Sequence, residues 1–253
     1  MIKPELNLSN SPVVEAVLDI ECDLPPGLQI SALEEHALDV FRDSYPKLRT
    51  QLLQQHQIAM KPGELPALSV KHGVQALQFL RDDERQLVQV RVQGFSFNRL
   101  APYTSLDECL PEIKRTWDLY VDLVKPVQVR QIRLRYINRI LLPMTEGRID
   151  LDHYFTVAPH LPDEERLALV GFLNQHVAVE TATGNQVITV LTTQPPENNW
   201  LPVIFDNSAV NSESCEPDNW PRISQRIQAL RGLKNHVFMR TLTKSCLALF
   251  QQP

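Results

Sequence analysis

Residues 127–142 read VQVRQIRLRYINRILL, and this stretch is the strongest indication of the fold. Apolar and polar side chains alternate along it, which is typical of a β-strand with one buried and one open face. The apolar face carries five large side chains, at Ile132, Leu134, Tyr136, Ile140 and Leu142. The opposite face carries three arginines, Arg133, Arg135 and Arg139. We therefore predict a long central strand of an antiparallel sheet.

The segments on either side of this strand predict an α+β fold. Residues 13–22 alternate in the same way, and residues 105–124 have the apolar stripe of a helix that begins at a capping box formed by Ser105 and Glu108. Residues 86–99 are predicted as one strand. The chain ends with predicted helices over 221–231 and 237–250, separated by a Gly232 cap. The expected architecture is an antiparallel-rich sheet with helices on one side.

Both parts of the chain follow the order strand, helix, several strands, helix. This order is compatible with two similar β-α-β-β-β-α halves, residues 1–126 and 127–253, that share one core. In the second half, the helix after the long strand is predicted to be short, near residues 151–155, with another near 163–173. The polar loops between the elements are too short to separate independent domains.

Composition and charge exclude several classes of protein. The chain has 253 residues, 43% of them hydrophobic, and a formal net charge of -5, which suits a folded globular protein but offers no basic field for nucleic acid. No run of apolar residues is long enough for a signal peptide or a transmembrane helix, so a cytoplasmic protein without membrane contact is expected. The four cysteines are widely spaced, which predicts reduced thiols rather than a zinc site.

The glycine spacing excludes the common phosphate-binding loops. The chain has eight glycines, and no two of them are close enough to form a Walker A or a GxGxxG turn. Asp150, Asp152 and His153, with His160 nearby, are potential metal ligands, but a capped short helix is the simpler interpretation. No cofactor is predicted.

The arginines of residues 127–142 define the candidate site. Arg133, Arg135 and Arg139 share one strand face, where they repel one another unless an anion or a row of carboxylates neutralises them. One interpretation is a site for a phosphate- or carboxylate-bearing ligand, because the guanidinium group binds oxyanions in bidentate fashion. The predicted ligand-binding residues are Asn98, Arg99, Arg133, Arg135, Asn138 and Arg139. The simpler alternative is a ladder of opposite charges with the acidic face of residues 13–22, which carries Glu15, Asp19 and Glu21.

Several segments together resemble one prokaryotic family. They are PVVEAV at residues 12–17, FSFNRL at 95–100 followed by Pro102 and Tyr103, LRYINRI at 134–140, and LKN at 233–235 followed by Phe238, Thr241 and Thr243. They are similar to a sporadically distributed prokaryotic family of uncharacterised proteins of about this length. The resemblance covers nearly the whole chain but implies no catalytic residues. The patchy distribution of the family implies an accessory gene, for example in a defence or toxin–antitoxin locus.

Two functions from different classes are compatible with these patterns. The first is a non-catalytic binding protein that offers its open sheet face and its arginine-rich strands to a protein encoded nearby. The alternative is an enzyme or sensor for an anionic small molecule such as a nucleotide. Asn98 and Asn138 would orient this molecule, and four arginines would bind its anionic group: Arg99, Arg133, Arg135 and Arg139. Whether the protein is an enzyme is left open, and a specific RNA or DNA complex is the weakest option because the chain is acidic.

Overall fold

A computed structural model describes residues 8–59, 67–163 and 166–251. These residues form nine strands: β1 (Val13–Asp23), β2 (Lys47–Ala59), β3 (Ala67–Leu80), β4 (Gln86–Arg91), β5 (Gly94–Leu100), β6 (Gln128–Pro143), β7 (Leu173–Val179), β8 (Gln186–Thr193) and β9 (Trp200–Asn211). They also form four α-helices, α1 (Glu34–Phe41), α2 (Leu106–Val124), α3 (Trp220–Thr241) and α4 (Lys244–Ala248), with a 3₁₀ turn at Ile30–Leu33 before α1. The predicted α+β class is confirmed.

All nine strands belong to one antiparallel sheet in the order β2-β3-β4-β5-β1-β6-β9-β8-β7. The arginine-rich strand predicted over residues 127–142 is β6, and it pairs with β1 on one side and β9 on the other. The register places Asp19 opposite Arg133 and Val17 opposite Arg135. The strand predicted over residues 86–99 is instead the hairpin β4–β5, because the chain turns at Val92 and Gln93.

The helices cover one face of this sheet. In the larger hydrophobic cluster, Trp117 and Tyr120 of α2 and Ile227 of α3 pack with inward-facing side chains of β1, β5 and β6. A second cluster joins Phe238 of α3 and Cys246 of α4 to the far end of β6 and to β9. The predicted face of β6 is the buried one, because its even-numbered residues from 132 to 142 are all buried. The opposite sheet face is called the outer face below.

Local signals explain where α2 begins and ends. Ser105 is its N-cap, and the side-chain oxygen of Ser105 accepts a hydrogen bond from the Glu108 N–H, as the capping box predicts. The helix ends at Lys125, whose φ of 52° is left-handed, and Pro126 follows. The apolar stripe between these ends faces the sheet.

The helices of the second half differ from the prediction. Gly232 does not end a helix, because α3 continues through it to Thr241, and Leu230, Lys234 and Phe238 stay buried on either side of it. This tertiary burial outweighs the cost of about 1 kcal/mol for a glycine inside a helix. The predicted helix over 237–250 is interrupted at Leu242, which forms a bridge with Phe155.

The short helices predicted near 151–155 and 163–173 are absent from the described residues. Residues 151–155 form a turn, after which Phe155 bridges to Leu242 and the Thr156 N–H donates to the Thr241 carbonyl. Because these backbone groups bond to the end of α3, they are not available for the hydrogen bonds of a helix. Residues 164 and 165 lie outside the described part.

The described residues contain no helix that is both long and apolar enough to cross a membrane.

Candidate functional site

The predicted arginine site lies on the outer face, and two of its arginines are paired with carboxylates of this chain. Arg135 Nε donates to Asp206 Oδ1 and Oδ2 of β9 at 2.9 and 3.0 Å, and this hydrogen bonding raises the pKa of Arg135. Arg139 Nη2 donates to Glu197 Oε2 at 2.8 Å. Both arginines are thus matched by carboxylates of β9 and the β8–β9 loop. The acidic face of residues 13–22, which the ladder alternative named, does not supply these two partners.

Arg133 is less completely matched. It lies opposite Asp19 in the β1–β6 register, but Asp19 forms its ion pair with Arg91 of β4, at 3.1 Å. The Nε atom of Arg133 is buried and has no hydrogen-bond partner among the described residues. Coulomb attraction between Arg133 and the neighbouring Asp19 still offsets part of the charge on this arginine.

The six predicted residues do not form one cluster, because alternation divides them between the two sheet faces. Asn98 lies on the outer face, where its Nδ2 donates to Glu15 Oε1 at 2.7 Å and its Oδ1 accepts from Gln89. Arg99, the next residue of β5, lies on the helix-covered face and lines a small crevice beside α2. Asn138 is also on the helix-covered face and is fully buried. The structure therefore keeps Arg99 and Asn138 apart from Arg133, Arg135 and Arg139.

A cavity of about 610 Å³ lies on the helix-covered face, where the two parts of the chain meet. We call it the Lys234 cavity. Its walls come from four segments, and its lining residues are Leu8, Ser9, Asn10, Ser11, Pro12, Val13, Ala101, Pro102, Tyr103, Thr104, Tyr136, Asn138, Arg231, Lys234, Asn235 and Phe238. Its volume falls in the range of about 300–1,000 Å³ that is typical of small-molecule sites.

Strand and helix geometry explain how the cavity is built. Tyr136 and Asn138 are two residues apart on β6, so both point toward the helices. Arg231, Lys234 and Asn235 are three and four residues apart on α3, so they share one helix face. Tyr103 comes from the loop between β5 and α2, and residues 8–13 lead into β1.

Lys234 is the unusual residue of this cavity. Its side chain is only 8% exposed, and its Nζ lies 3.4 Å from the centroid of the Tyr136 ring. Within the described part of the chain, Nζ forms no hydrogen bond and no ion pair. Burial, together with the positive charge of Arg231, lowers the pKa of Lys234 to about 7. A buried ammonium group is normally paired, because leaving water without a partner costs an ion several kcal/mol.

The groups around Lys234 are held in place by their own hydrogen bonds. The Tyr103 and Tyr136 hydroxyls are 2.6 Å apart, and burial raises the pKa of Tyr103, so this hydroxyl stays neutral. Asn138 Nδ2 donates to the Phe205 carbonyl at 2.9 Å. Arg231 forms an ion pair with Asp107 at the start of α2, at 2.9 Å.

Asn207 connects β9 to α3 beside the cavity. It is fully buried, and its Nδ2 donates to the backbone carbonyl of Lys234 at 2.9 Å. Its Oδ1 has no hydrogen-bond partner among the described residues. The position of Lys234 is therefore set by β9 as well as by its own helix.

The cavity combines cationic and neutral polar groups. Arg231 and Lys234 are its two cationic residues, and no aspartate or glutamate occurs among the lining residues that the structure describes. The amides of Asn10, Asn138 and Asn235 and the two tyrosine hydroxyls supply donors and acceptors. Such a lining suits a ligand with an anionic group and further polar atoms.

Reasoning from the sequence did not assign Lys234, Tyr136 or Tyr103 to a site. A usable signal was the apolar stripe of α3, where Ile223, Ile227, Leu230 and Phe238 are buried at helical spacing and Lys234 occupies one position of the same stripe. A lysine at a core position requires either a partner or a function.

The other candidate ligands of the sequence do not assemble. His160 Nε2 lies 3.4 Å from Asp152 Oδ1, but both side chains are exposed to solvent. Asp150 instead accepts hydrogen bonds from the Asp152 and His153 N–H groups, as a turn residue. Over residues 8–59, 67–163 and 166–251, no group of three or more His, Cys, Asp or Glu side chains is arranged to hold a metal ion.

Comparison with known proteins adds no assignment, since no protein-family model matches the chain and no curated protein is significantly similar to it.

Proposed function

We propose that this protein binds a small molecule with an anionic group, such as a phosphate or a carboxylate, in the Lys234 cavity. One observation carries the proposal: a lysine ammonium is buried at the wall of a cavity and has no carboxylate partner in the described chain. A bound anion would supply the missing partner. The sequence suggested, as its alternative function, an enzyme or sensor for an anionic molecule. We keep this ligand class but assign the ligand to the Lys234 cavity instead of the outer-face arginines.

The charges of the cavity support an anionic ligand. Lys234 and Arg231 lie one helical turn apart on α3, and the attraction of both for an anion is strengthened because the site is poorly solvated. Arg231 is already oriented by Asp107, which fixes its side chain before a ligand arrives. Asn138, one of the residues predicted from the sequence, and Asn235 would orient the remainder of the ligand. The volume is sufficient for a nucleotide.

Thermal unfolding in the presence of anions tests this proposal. We expect inorganic phosphate, a dicarboxylate or a nucleotide to stabilise the wild-type protein, by about 2.7 kcal/mol at 100 times its dissociation constant. Lys234→Met should remove the stabilisation, because the ammonium group is lost while the length of the side chain is kept. Lys114→Met is the matched control, since Lys114 is an exposed residue of α2 that is paired with Asp118.

The proposal fails if a broad anion screen gives no stabilisation of the wild type, or if Lys234→Met is stabilised as strongly as the wild type. A shift that survives Lys234→Met but is lost in Arg135→Met would return the anion site to the outer face.

A second candidate function is the binding of a protein partner, and the edge of the sheet favours it. Strand β7 is the last strand of the sheet, and its outer-face residues Leu173, Val177 and Val179 are 70%, 56% and 57% exposed. Edge strands usually carry charges or proline that discourage pairing, and β7 has neither. We propose that a protein encoded nearby binds this edge and the adjoining outer face.

Co-purification with the products of neighbouring genes tests the partner proposal. A genuine complex should be lost in Val177→Lys, because a charge would be buried in the interface. Val92→Lys, at the exposed turn between β4 and β5, is the control. Failure of every neighbouring product to co-purify would count against this candidate.

We also propose that the chain belongs to the sporadically distributed prokaryotic family that it resembles. Residues of the resembling segments meet at the Lys234 cavity, namely Tyr103, Tyr136, Asn138, Lys234, Asn235 and Phe238. A shared ligand site would explain why these separate segments resemble the same family.

The two halves of the chain are further proposed to be related by duplication. From the centre outward, the first half has the strand order β1-β5-β4-β3 and the second has β6-β9-β8-β7, and each half is followed by a long helix. The first half has one further strand, β2, and a helix after its first strand. Superposition of β1, β5, β4, β3 and α2 on the corresponding elements is the test; different helix crossings would contradict it.

A further inference from the structure

We propose that Lys234 acts as a nucleophile, and that its side-chain amine captures an aldehyde or keto group of the bound molecule as a Schiff base. This inference rests on the proposed function, because the carbonyl compound must first enter the Lys234 cavity. It extends that function from the binding of an anion to the covalent binding of a carbonyl compound.

The surroundings of Nζ support a nucleophile rather than a structural ammonium group. A structural lysine is usually paired with a carboxylate, as Lys47 is with Glu84, Lys114 with Asp118 and Lys125 with Asp122. Lys234 has no such pair in the described chain, and it is one of the residues that line the cavity. Its contact is with the face of the Tyr136 ring, which attracts the ammonium form but does so more weakly than a carboxylate in this buried place would.

The charges that face Lys234 favour the neutral amine. Arg231 on α3 is cationic, Tyr136 of β6 and Tyr103 of the β5–α2 loop are phenols, and the carboxylate of Asp107 on α2 is engaged by Arg231. Burial and the neighbouring cation lower the pKa of Lys234 to about 7, so a far larger fraction of this side chain than of an ordinary lysine is an uncharged amine at neutral pH. Desolvation and a second cation are known means of activating a lysine.

The reaction balances without any added cofactor. The ammonium first gives one proton to solvent, and the nitrogen lone pair forms a bond to the carbonyl carbon while the carbonyl oxygen takes up a proton. The nitrogen of this carbinolamine then gives up one proton, and the hydroxyl oxygen takes up this second proton and leaves as water when the C–O bond breaks. The freed nitrogen lone pair forms the carbon–nitrogen double bond. Arg231 would hold a carboxylate or phosphate of the same molecule, which directs the carbonyl group toward Nζ.

Reductive trapping tests this inference. The probe is glyoxylate, which carries both an aldehyde and a carboxylate, and sodium cyanoborohydride reduces the imine by delivering a hydride to its carbon. After a short incubation at pH 7, intact-mass measurement and peptide mapping locate the adduct. We expect the first adduct on Lys234, formed at least roughly tenfold faster than on an average surface lysine, because an ordinary lysine has far less free amine at this pH.

Controls separate this inference from the proposed function. Lys234→Arg keeps the positive charge but has no primary amine, so it should lose the adduct, whereas Lys114→Arg should not. Inorganic phosphate should slow the labelling of Lys234 in the wild type. If Lys234→Arg does not fold, the position of the adduct in the wild type decides alone.

The inference is overturned if glyoxylate labels the surface lysines at the same rate as Lys234 or leaves Lys234 unmodified. In that case, thermal stabilisation by phosphate that is lost in Lys234→Met would still support the proposed function. Absence of both effects would refute the two together.

Discussion

At the scale of single residues, Lys234 and Arg135 represent two ways of placing a cation in a sheet protein. Arg135 has its carboxylate on the adjacent strand, so its charge is matched within the chain. Lys234 is more deeply buried and has no such match among the described residues. A group that costs stability and is still present at a cavity wall points to a function at that position.

The stability of the protein should depend on pH through Lys234. Its pKa is about 7 in the folded chain and near 10.5 in the unfolded chain, so between these values the unfolded state binds more protons. Stability therefore rises with pH in this window. Relative to Lys234→Met, we expect the wild type to gain about 2 kcal/mol in free energy of unfolding from pH 7 to pH 9.

Urea unfolding of both proteins at several pH values measures this difference, and taking the difference cancels the other titrating groups. A gap between wild type and Lys234→Met that stays constant from pH 7 to pH 9 would show that the lysine has an ordinary pKa.

The Arg135–Asp206 pair should contribute a modest, salt-dependent coupling. In a double-mutant cycle with Arg135→Met and Asp206→Asn, we expect an interaction energy of about 1 kcal/mol, because the guanidinium is bidentate but partly exposed. The exposed Asp122–Lys125 pair is the control and should give a few tenths of a kcal/mol at most. Equal coupling in both pairs would mean that the ladder on the outer face is no stronger than a surface contact.

At the scale of elements, two glycines show how tertiary contacts change the meaning of a residue. Gly94 begins β5 with a φ of 135°, and a Cβ atom there would lie 2.2 Å from the Ile20 carbonyl oxygen of β1. Gly232 lies in the middle of α3, and a Cβ atom there would meet nothing within 4 Å. Gly94 is required because of its positive φ and the close approach of β1, whereas nothing in α3 requires a glycine at position 232.

Alanine substitutions should therefore have opposite effects on stability. Gly94→Ala should destabilise the protein by more than about 2 kcal/mol, because backbone strain and a clash with β1 act together. Gly232→Ala should stabilise it by about 0.5–1 kcal/mol through the higher helix propensity of alanine. Chemical denaturation measures both. A destabilised Gly232→Ala variant would contradict the open space that surrounds this position.

At the scale of the whole molecule, the pairing of β1 with β6 joins residues 13–100 and 128–211 in one sheet, and both parts of the chain contribute to the larger of the two hydrophobic clusters. The larger hydrophobic cluster contains Trp117 and Phe95 from the first half together with Leu134 and Ile227 from the second. Removing residues 127–253 would expose the side of α2 that packs in this cluster, and it would leave β1 as an edge strand.

We expect the full chain to unfold in a single cooperative transition, with tryptophan fluorescence and far-UV circular dichroism changing together. The fragment 1–126 should not fold alone, because the cluster that it shares with α3 and β6 would be exposed. Two separate transitions, or a fragment 1–126 with a cooperative transition of its own, would contradict the shared core.

Much of the fold could be predicted because it follows from local patterns. Alternation in residues 13–22 and 127–142, and the capping box at Ser105, depend on neighbouring residues that the sequence displays directly. The turn at Val92–Gln93 and the continuation of α3 through Gly232 were missed. Backbone hydrogen bonds to Gln75 and Cys22 hold the turn, and packing against the sheet holds α3, and these contacts outweigh the local preference.

The candidate site could be predicted only in part for a related reason. The arginines of β6 were identified from alternation, but their carboxylates lie on β9 and in the β8–β9 loop, about sixty to seventy residues further along the chain. Asn138 was named as a ligand-binding residue and does line the Lys234 cavity, although it does so on the face opposite to the arginines.

The sequence by itself determined the antiparallel sheet, the face of β6 that is buried and the helix-covered side, since periodicity is a property of adjacent residues. Only the tertiary structure decided that Tyr103, Tyr136 and Lys234 meet at one cavity, and that Lys234 has no carboxylate beside it there. The physical reason is that the solvation and charge environment of a side chain is a sum over residues that are distant in sequence, and the folded chain alone brings them together.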